Sequence, residues 1–91
     1  MKYFIGNWKM FGVPKSISII NKINFFVKKD KNRNKYRVVI TPPYTLIETF
    51  AKYFKNKVVS IGAQNCFHKD LFSSNTGAIS PYMLKQIGSK F

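Results

Sequence analysis

The chain has 91 residues, with 16 Lys and Arg against three Asp and Glu, which gives a formal net charge of +13. The length excludes two domains of ordinary size, and a content of 45% hydrophobic residues excludes a disordered chain despite the charge. The single cysteine cannot form an internal disulfide, and no apolar stretch has the length of a secretion signal core or a membrane-spanning helix. We therefore expect one folded domain in a reducing cytoplasm, with no membrane partner.

The first half of the chain predicts a strand, a helix and a second strand. Residues 3–5 are aromatic and β-branched, which predicts a short buried strand. After Pro14, apolar residues recur at helical spacing and predict an amphipathic helix. Its apolar stripe comprises Ile17, Ile20, Ile23 or Asn24, and Val27, widened by Ile19 and Phe26. Residues 36–41 predict a second strand, which must end at Pro42 and Pro43 because proline cannot donate to a strand ladder.

The second half predicts another helix, a third strand and a third helix. Thr45 and Glu48 have the spacing of a capping box, in which each side chain bonds the other residue's backbone N–H. The helix that follows has an apolar face of Leu46, Ile47, Phe50, Ala51 and Phe54. Residues 58–63 are almost continuously apolar, which predicts a strand buried on both faces. Ser80 and Pro81 predict the N-cap and first residue of the third helix. Its inward residues are Met83, Leu84 and Ile87, and it ends at Gly88.

This alternation predicts the α/β class, with parallel strands joined by right-handed crossovers. The chain stops at Phe91, where a fourth strand would begin, so we expect a truncated fold. Function in parallel α/β folds is concentrated at the carboxyl ends of the strands. The polar residues at those positions are Asn7, Lys9, Thr41, Gln64 and Asn65. A cation fixed at a strand end suits an anionic substrate.

Four segments together resemble the triosephosphate isomerase family in order and spacing. They are FIGNWKM at 4–10, TPPY at 41–44, IGAQNC at 61–66 and TGAISP at 76–81. The resemblance implies a (β/α)8 TIM barrel of which residues 1–91 hold only the first three βα units, as one partial domain. It also implies an isomerase of glycolysis and gluconeogenesis that interconverts dihydroxyacetone phosphate and D-glyceraldehyde 3-phosphate through an enediolate, as a homodimer without a cofactor or metal.

The resemblance assigns roles to individual residues. Asn7 and Lys9 would bind the triose phosphate, with Lys9 stabilising the substrate phosphate and the developing enediolate by its charge. The dimer interface would include Met10, Gln64, Asn65 and Thr76. The chain departs from the family pattern at Ala78, where an acidic residue is common, and at residues 71–75, which lack the usual glycine-rich approach. We therefore expect the interface loop to pack differently here.

Proton transfer requires a general base, and the only carboxylates are Asp30, Glu48 and Asp70, none of them at a strand end. His68 lies in the loop after the third strand and does not match the family's catalytic histidine, which the resemblance places beyond Phe91 together with the catalytic glutamate. We expect the isolated chain to be inactive. Because the inner faces of three strands have no opposite strands to meet, we also expect it to be molten, aggregated or dependent on complementing segments.

Two alternatives remain open. The basic run at residues 28–35 is typical of a solvated connector, but it could make the chain a standalone module that binds polyanions. Only Arg33 and Arg37 offer the bidentate geometry that phosphate and base recognition favours, which makes nucleic acid the minor reading. The other alternative is a split barrel part that works only with a second chain.

Overall fold

Three parallel strands and three helices alternate along the chain in the computed structural model, which describes residues 1–91. The elements are β1 (Lys2–Asn7), α1 (Ile17–Lys29), β2 (Tyr36–Thr41), α2 (Tyr44–Tyr53), β3 (Val59–Ile61) and α3 (Pro81–Gln86). Short 3-10 turns precede α1 and β2 at Pro14–Ser16 and Arg33–Lys35. The predicted element order and the limits of β2 are confirmed. No helix combines the length and the apolar character needed to cross a membrane.

The sheet has the order β1-β2-β3, and both pairings are parallel. Asn7, the last residue of β1, lies opposite Thr41, the last residue of β2. The Gly62 N–H donates to the Ile40 carbonyl at 2.9 Å and so extends the β2–β3 ladder past the end of β3. The carboxyl ends of all three strands therefore meet at one edge of the sheet.

The last two residues of the chain lie alongside the free edge of β3. Lys90 N–H donates to the Ile61 carbonyl at 3.0 Å, and Ala63 N–H donates to the Phe91 carbonyl at 2.8 Å. The approach is close, because a Cβ added at Gly62 would lie 2.9 Å from the Phe91 carbonyl oxygen. The end of the chain thus lies on the side of β3 that has no neighbouring strand.

The core lies between the sheet and the helices. Its nine buried members are Ile20, Ile40, Leu46, Ile47, Phe50, Phe54, Val59, Ile61 and Leu84. α2 supplies three of them and its C-cap residue, Phe54, supplies a fourth, because these apolar residues recur at helical spacing and form one stripe toward β2 and β3. The predicted face of this helix is confirmed, with Ala51 partly buried at its margin.

The prediction of a buried first strand is wrong. Phe4 is 57% exposed and Ile5 is 62% exposed, although β1 is paired with β2 along its whole length. β1 forms the edge of the sheet, and β2 is the one element with which it makes extensive contacts. Even so, the Phe4 ring packs edge-on against the Tyr36 ring, with the ring centroids 5.6 Å apart.

The predicted capping box at α2 is also wrong. The helix begins at Tyr44, with Pro43 as its N-cap in an extended conformation (ψ 155°) and no side-chain capping bond. Thr45 therefore lies inside the first turn, where its hydroxyl cannot serve as the N-cap. Glu48 instead forms an exposed ion pair with Lys52 at 3.0 Å, one helical turn along.

Three smaller expectations need correction. Ile19 and Phe26 do not widen the buried stripe of α1, because both side chains are more than half exposed. Met83 is exposed at the margin of α3, whereas Leu84 is buried. β3 is shorter than residues 58–63, and Ser60 on its second face is only half-buried. The third helix otherwise begins as predicted, since the Ser80 hydroxyl accepts a hydrogen bond from Met83 N–H at 3.2 Å.

Candidate functional site

Gln64 ties together the ends of the strands at the carboxyl edge of the sheet. Its Nε2 donates to the Lys9 carbonyl at 2.8 Å and to the Thr41 carbonyl at 2.9 Å. Parallel pairing makes this possible, because it brings the segments that follow β1, β2 and β3 to the same edge. Both N–H groups of one half-buried amide therefore serve to fix the loop that carries Lys9.

Lys9 is held in a backbone conformation that lysine rarely adopts. Its φ is +55°, in the left-handed region, which costs a residue other than glycine about 1–2 kcal/mol. Such a conformation persists when surrounding contacts enforce it. Here Lys9 N–H donates to Asn7 Oδ1 at 2.7 Å, its carbonyl accepts from Gln64, and Trp8 N–H donates to the Thr41 carbonyl at 3.1 Å. The backbone that carries this ammonium group is therefore fixed at three points.

The loop after β1 is anchored to the core by Trp8. The Trp8 ring packs edge-on against Phe50, with the ring centroids 5.8 Å apart. Gly12 lies beneath this ring with φ +117°, and a Cβ there would come within 2.9 Å of two Trp8 ring carbons. The position of Lys9 thus depends on core packing as well as on hydrogen bonds.

A cavity of about 200 Å³ opens beside these groups. Its lining consists of Lys9, Met10, Pro43, Tyr44, Gln64 and Asn65. The Tyr44 hydroxyl donates to the Asn65 carbonyl at 2.8 Å and also contacts the Asn65 side-chain oxygen. Burial raises the pKa of Tyr44 above its ordinary value, and the nearby Cys66 adds to the rise. Tyr44 therefore remains a neutral hydrogen-bond donor at neutral pH.

Three of the four residues predicted for a dimer interface, Met10, Gln64 and Asn65, line this cavity, whereas Thr76 does not. Met10 is 93% exposed beside Lys9, and Asn65 is exposed on the rim of the cavity. Thr76 is exposed in a separate loop that a hydrogen bond from Phe67 N–H to the Ile79 carbonyl closes at 2.7 Å. The Gln64 amide uses both of its N–H groups within the chain.

None of the three carboxylates lines this cavity, and each is engaged by other groups. Asp30 accepts from the Tyr36 hydroxyl at 2.5 Å near the amino end of β2, and this bond, with one from Asn32 N–H, lowers the pKa of Asp30. Asp70 Oδ1 accepts from Leu71 N–H at 2.9 Å and from Tyr82 N–H in the first turn of α3 at 3.0 Å. Glu48 is paired on the outer face of α2. The site offers binding groups and a cation, but no carboxylate for proton transfer.

Sequence reasoning identified Asn7, Lys9 and Gln64 as strand-end residues, and the structure brings them together. It did not identify the bond from Gln64 to Lys9 or Tyr44 as a wall of the cavity. The position of Tyr44 immediately after Pro43, at the end of a predicted strand, is the signal that could have marked it.

Comparisons with known proteins agree with this geometry. The family model for triosephosphate isomerase matches residues 2–91. The triosephosphate isomerase of Wolbachia pipientis wMel is 39% identical over 88 residues, which cover 96% of this chain and 34% of that protein. The triosephosphate isomerase of Herpetosiphon aurantiacus is 32% identical over 87 residues, covering 94% and 33%.

Among solved structures, the crystal structure of triosephosphate isomerase from Bartonella henselae superposes with a TM-score of 0.85 at 28% sequence identity. The match covers 97% of this chain and 35% of that one. The chain thus spans about a third of the length of the relatives it matches. The predicted fold, three βα units of a TIM barrel, is confirmed.

Proposed function

The chain belongs to the triosephosphate isomerase family, and from this premise we propose that it forms the amino-terminal third of a barrel that interconverts dihydroxyacetone phosphate and D-glyceraldehyde 3-phosphate. The observation that carries the proposal is the fixed position of Lys9 at the carboxyl edge of the sheet. Because Asn7 and Gln64 hold the backbone of Lys9, its ammonium group is preorganised for an anionic substrate.

Lys9 acts through its charge. Its side chain is exposed and forms no ion pair, since the chain's one salt bridge joins Glu48 and Lys52. Opposite charges 4 Å apart attract by about 4 kcal/mol at an effective dielectric constant of 20. The same cation would attract the substrate phosphate and the enediolate that forms during proton transfer, so its removal affects both binding and turnover.

Asn7 has two tasks in this proposal. Its Oδ1 accepts from Lys9 N–H and so sets the left-handed turn. Its Nδ2 forms no hydrogen bond within the chain and is free to donate to an oxygen of the substrate. One side chain would thus position the cation and bind the triose phosphate.

Proton transfer needs groups from outside residues 1–91. The chain's three carboxylates are engaged by other groups, and the His68 ring lies tilted against that of Phe67 in the loop after β3. We therefore propose that the general base and the electrophile come from strands that complete the barrel. The chain acts as the binding part of a composite site.

The proposal includes a homodimer in the cytoplasm. The loop after β1 exposes Met10 at 93%, followed by Phe11 at 75%, and an exposed apolar pair beside a substrate site is typical of a surface that a partner covers. Asn65 and Thr76 would contribute from their exposed loops, with Gln64 behind them. The single thiol, Cys66, is exposed and unpaired, which suits a reducing compartment.

An isomerase assay tests the proposal directly. The 91-residue chain would be assayed alone and mixed with a second chain that carries the remaining strands of a related isomerase. We expect activity only in the mixture, because neither part alone holds both the cation and the general base. Activity of the chain alone would overturn the assignment of the base to the missing strands. A mixture that associates in sedimentation and regains native circular dichroism, yet has no activity, would overturn the assigned function.

Lys9→Met in the active mixture tests the central role of this residue. Methionine keeps an unbranched side chain at φ +55° but removes the charge, so we expect kcat/KM to fall about 10²–10³-fold, with KM also raised. Lys15→Met is the matched control, because it removes an exposed lysine just before α1 and should leave the kinetics unchanged. Near-normal kinetics for Lys9→Met would contradict the proposed mechanism.

A further inference from the structure

A second polar cavity lies at the amino end of the sheet, opposite the candidate site. It has a volume of about 250 Å³, and its polar lining consists of Arg33, Asn34, Tyr36, Arg37, Lys57, Ser60 and Lys90. Four of these residues are cationic, and they include both arginines of the chain. They come from three parts of the sequence, namely the turn and start of β2, the residues before β3, and the carboxyl end of the chain.

This cavity is separate from the site around Lys9. Arg37 is the second residue of β2 and Thr41 is the last, and four residues of a parallel strand span about 13 Å at roughly 3.3 Å each. The two sites share no lining residue. A ligand at the amino end would therefore not compete directly with a substrate at Lys9.

The cations of the cavity lack anionic partners. No carboxylate lines the cavity, and none of its four cationic side chains forms a salt bridge. Asp30 is nearby in sequence, but its carboxylate is bonded by the Tyr36 hydroxyl and Asn32 N–H. Arg33 donates one guanidinium N–H to the Lys28 carbonyl, which fixes the side chain and leaves other N–H groups of the fork free.

We propose that this cavity binds a compact anion that carries more than one phosphate group. Arginine suits such a ligand because its planar fork can donate two parallel hydrogen bonds to phosphate oxygens. Four cations around one cavity exceed what a single phosphate can neutralise, whereas a chain of two or three phosphates offers a matching charge. Asn34 and Ser60 add neutral donors at the wall.

The cavity also gives part of the basic run at residues 28–35 a specific role. Most of that run is exposed to solvent, as expected of a connector. Arg33 and Asn34 are the members that line the cavity, where they meet Arg37 from β2. A diffuse attraction for polyanions would depend on the total charge of the chain, whereas a built site would depend on these particular residues.

Titration calorimetry of the 91-residue chain with tripolyphosphate distinguishes a built phosphate site from a diffuse attraction for polyanions. The test variant is R33Q/R37Q, and the control is K15Q/K22Q, which removes two exposed lysines that do not line the cavity. Both double variants lower the net charge by two, so they change diffuse attraction equally. We expect the dissociation constant to rise at least about tenfold for R33Q/R37Q and less than about threefold for K15Q/K22Q.

A third variant, R33K/R37K, keeps the charge but removes the bidentate fork, and we expect an intermediate loss. This variant also keeps the test decisive if far-UV circular dichroism shows that R33Q/R37Q is misfolded. Equal losses for the test and control variants, or no binding by the wild-type chain at low salt, would overturn the proposal. Tighter binding of a single-stranded oligonucleotide than of tripolyphosphate, with the same dependence on arginine, would overturn the assignment to a compact ligand and indicate a nucleic-acid surface.

Discussion

β1 and β2 have the same length and pair residue for residue, yet β1 is largely exposed and the carboxyl half of β2 is buried. Val39 and Ile40 of β2 are at most 4% exposed, whereas Phe4 and Ile5 of β1 are more than half exposed. Both strands carry runs of aromatic or β-branched residues, so neither the pairing nor the strand sequence explains the difference. The difference lies in what packs on each strand.

β2 lies between two strands, and α2 packs on the sheet beside it through Leu46, Ile47 and Phe50. β1 has a neighbour on one edge only and no helix packed closely over it. In a closed barrel every strand has two neighbours and a cover of helices. The exposed side of β1 is therefore the side at which we expect complementing segments to join the sheet.

The largest expected effect is that of Phe50→Ala. Phe50 is fully buried at the centre of the core and supports the Trp8 ring, so its truncation should cost about 3–5 kcal/mol. In the isolated chain we expect loss of the helical circular dichroism and exposure of the single tryptophan, seen as a red shift of its fluorescence.

Phe4→Ala is the matched variant on the exposed strand. It removes the same ring from a residue with little cover, so in the isolated chain we expect circular dichroism and tryptophan fluorescence close to those of the unmodified chain. In the complemented barrel we expect Phe4→Ala to lower the free energy of unfolding, because β1 is then covered. Equal spectral changes for the two truncations in the isolated chain would contradict the contrast between the strands.

Gln64→Leu tests how the free end of β1 is held to β2. The change removes the donor to the Lys9 and Thr41 carbonyls, and we expect a loss of about 1–3 kcal/mol in urea unfolding of the complemented barrel. Gln86→Leu on the exposed surface of α3 is the control and should stay within about 0.5 kcal/mol. Comparable losses for both would mean that the Gln64 bonds do not hold the loop.

Ser80→Ala and Thr45→Ala compare a real helix cap with a predicted one. The Ser80 hydroxyl accepts from Met83 N–H, so its removal should cost about 1 kcal/mol. Thr45 makes no capping bond, and alanine has the higher helix propensity, so Thr45→Ala should be neutral or slightly stabilising. Thermal unfolding of the two variants in the complemented barrel measures the difference. A loss of stability for Thr45→Ala as large as that for Ser80→Ala would indicate that the capping box at Thr45 does form.

The smallest effect on stability is expected from loss of the hydrogen bond between Tyr36, at the start of β2, and Asp30. Bonds from the Tyr36 hydroxyl and Asn32 N–H lower the pKa of Asp30 below 3.8. A carboxyl group with a lowered pKa stabilises the fold above the pKa of the unfolded chain, and this contribution is lost as the pH falls through the lower, folded value. Tyr36→Phe removes the larger cause, so we expect the pKa of Asp30 to rise toward its ordinary value.

Titration of the Asp30 carboxyl carbon by NMR measures this shift. Tyr53→Phe is the control, because the Tyr53 hydroxyl accepts from the Asn21 amide and touches no carboxylate. Because Asp30 is exposed, the accompanying change in stability should be small. An unchanged pKa of Asp30 in Tyr36→Phe would show that the hydroxyl bond does not form in solution.

Local chemistry in the sequence determined the order of elements, the limits of β2 and the start of α3. Two prolines end β2, helical spacing marks the buried face of α2, and Ser80 with Pro81 starts α3. These features depend on residues within a few positions of each other, so they can be predicted without knowing the fold. The family motifs likewise marked Asn7 and Lys9 as site residues.

Only the tertiary structure decided which apolar residues are covered and which polar groups meet. Gln64 and the Lys9 carbonyl are 55 residues apart, and the amino-end cavity gathers Arg33, Lys57 and Lys90 from distant segments. The burial of β1 and β2 differs because of their neighbours, which a strand's own sequence does not specify. Burial and long-range hydrogen bonds arise from how the elements pack, and that packing is set by the whole chain at once.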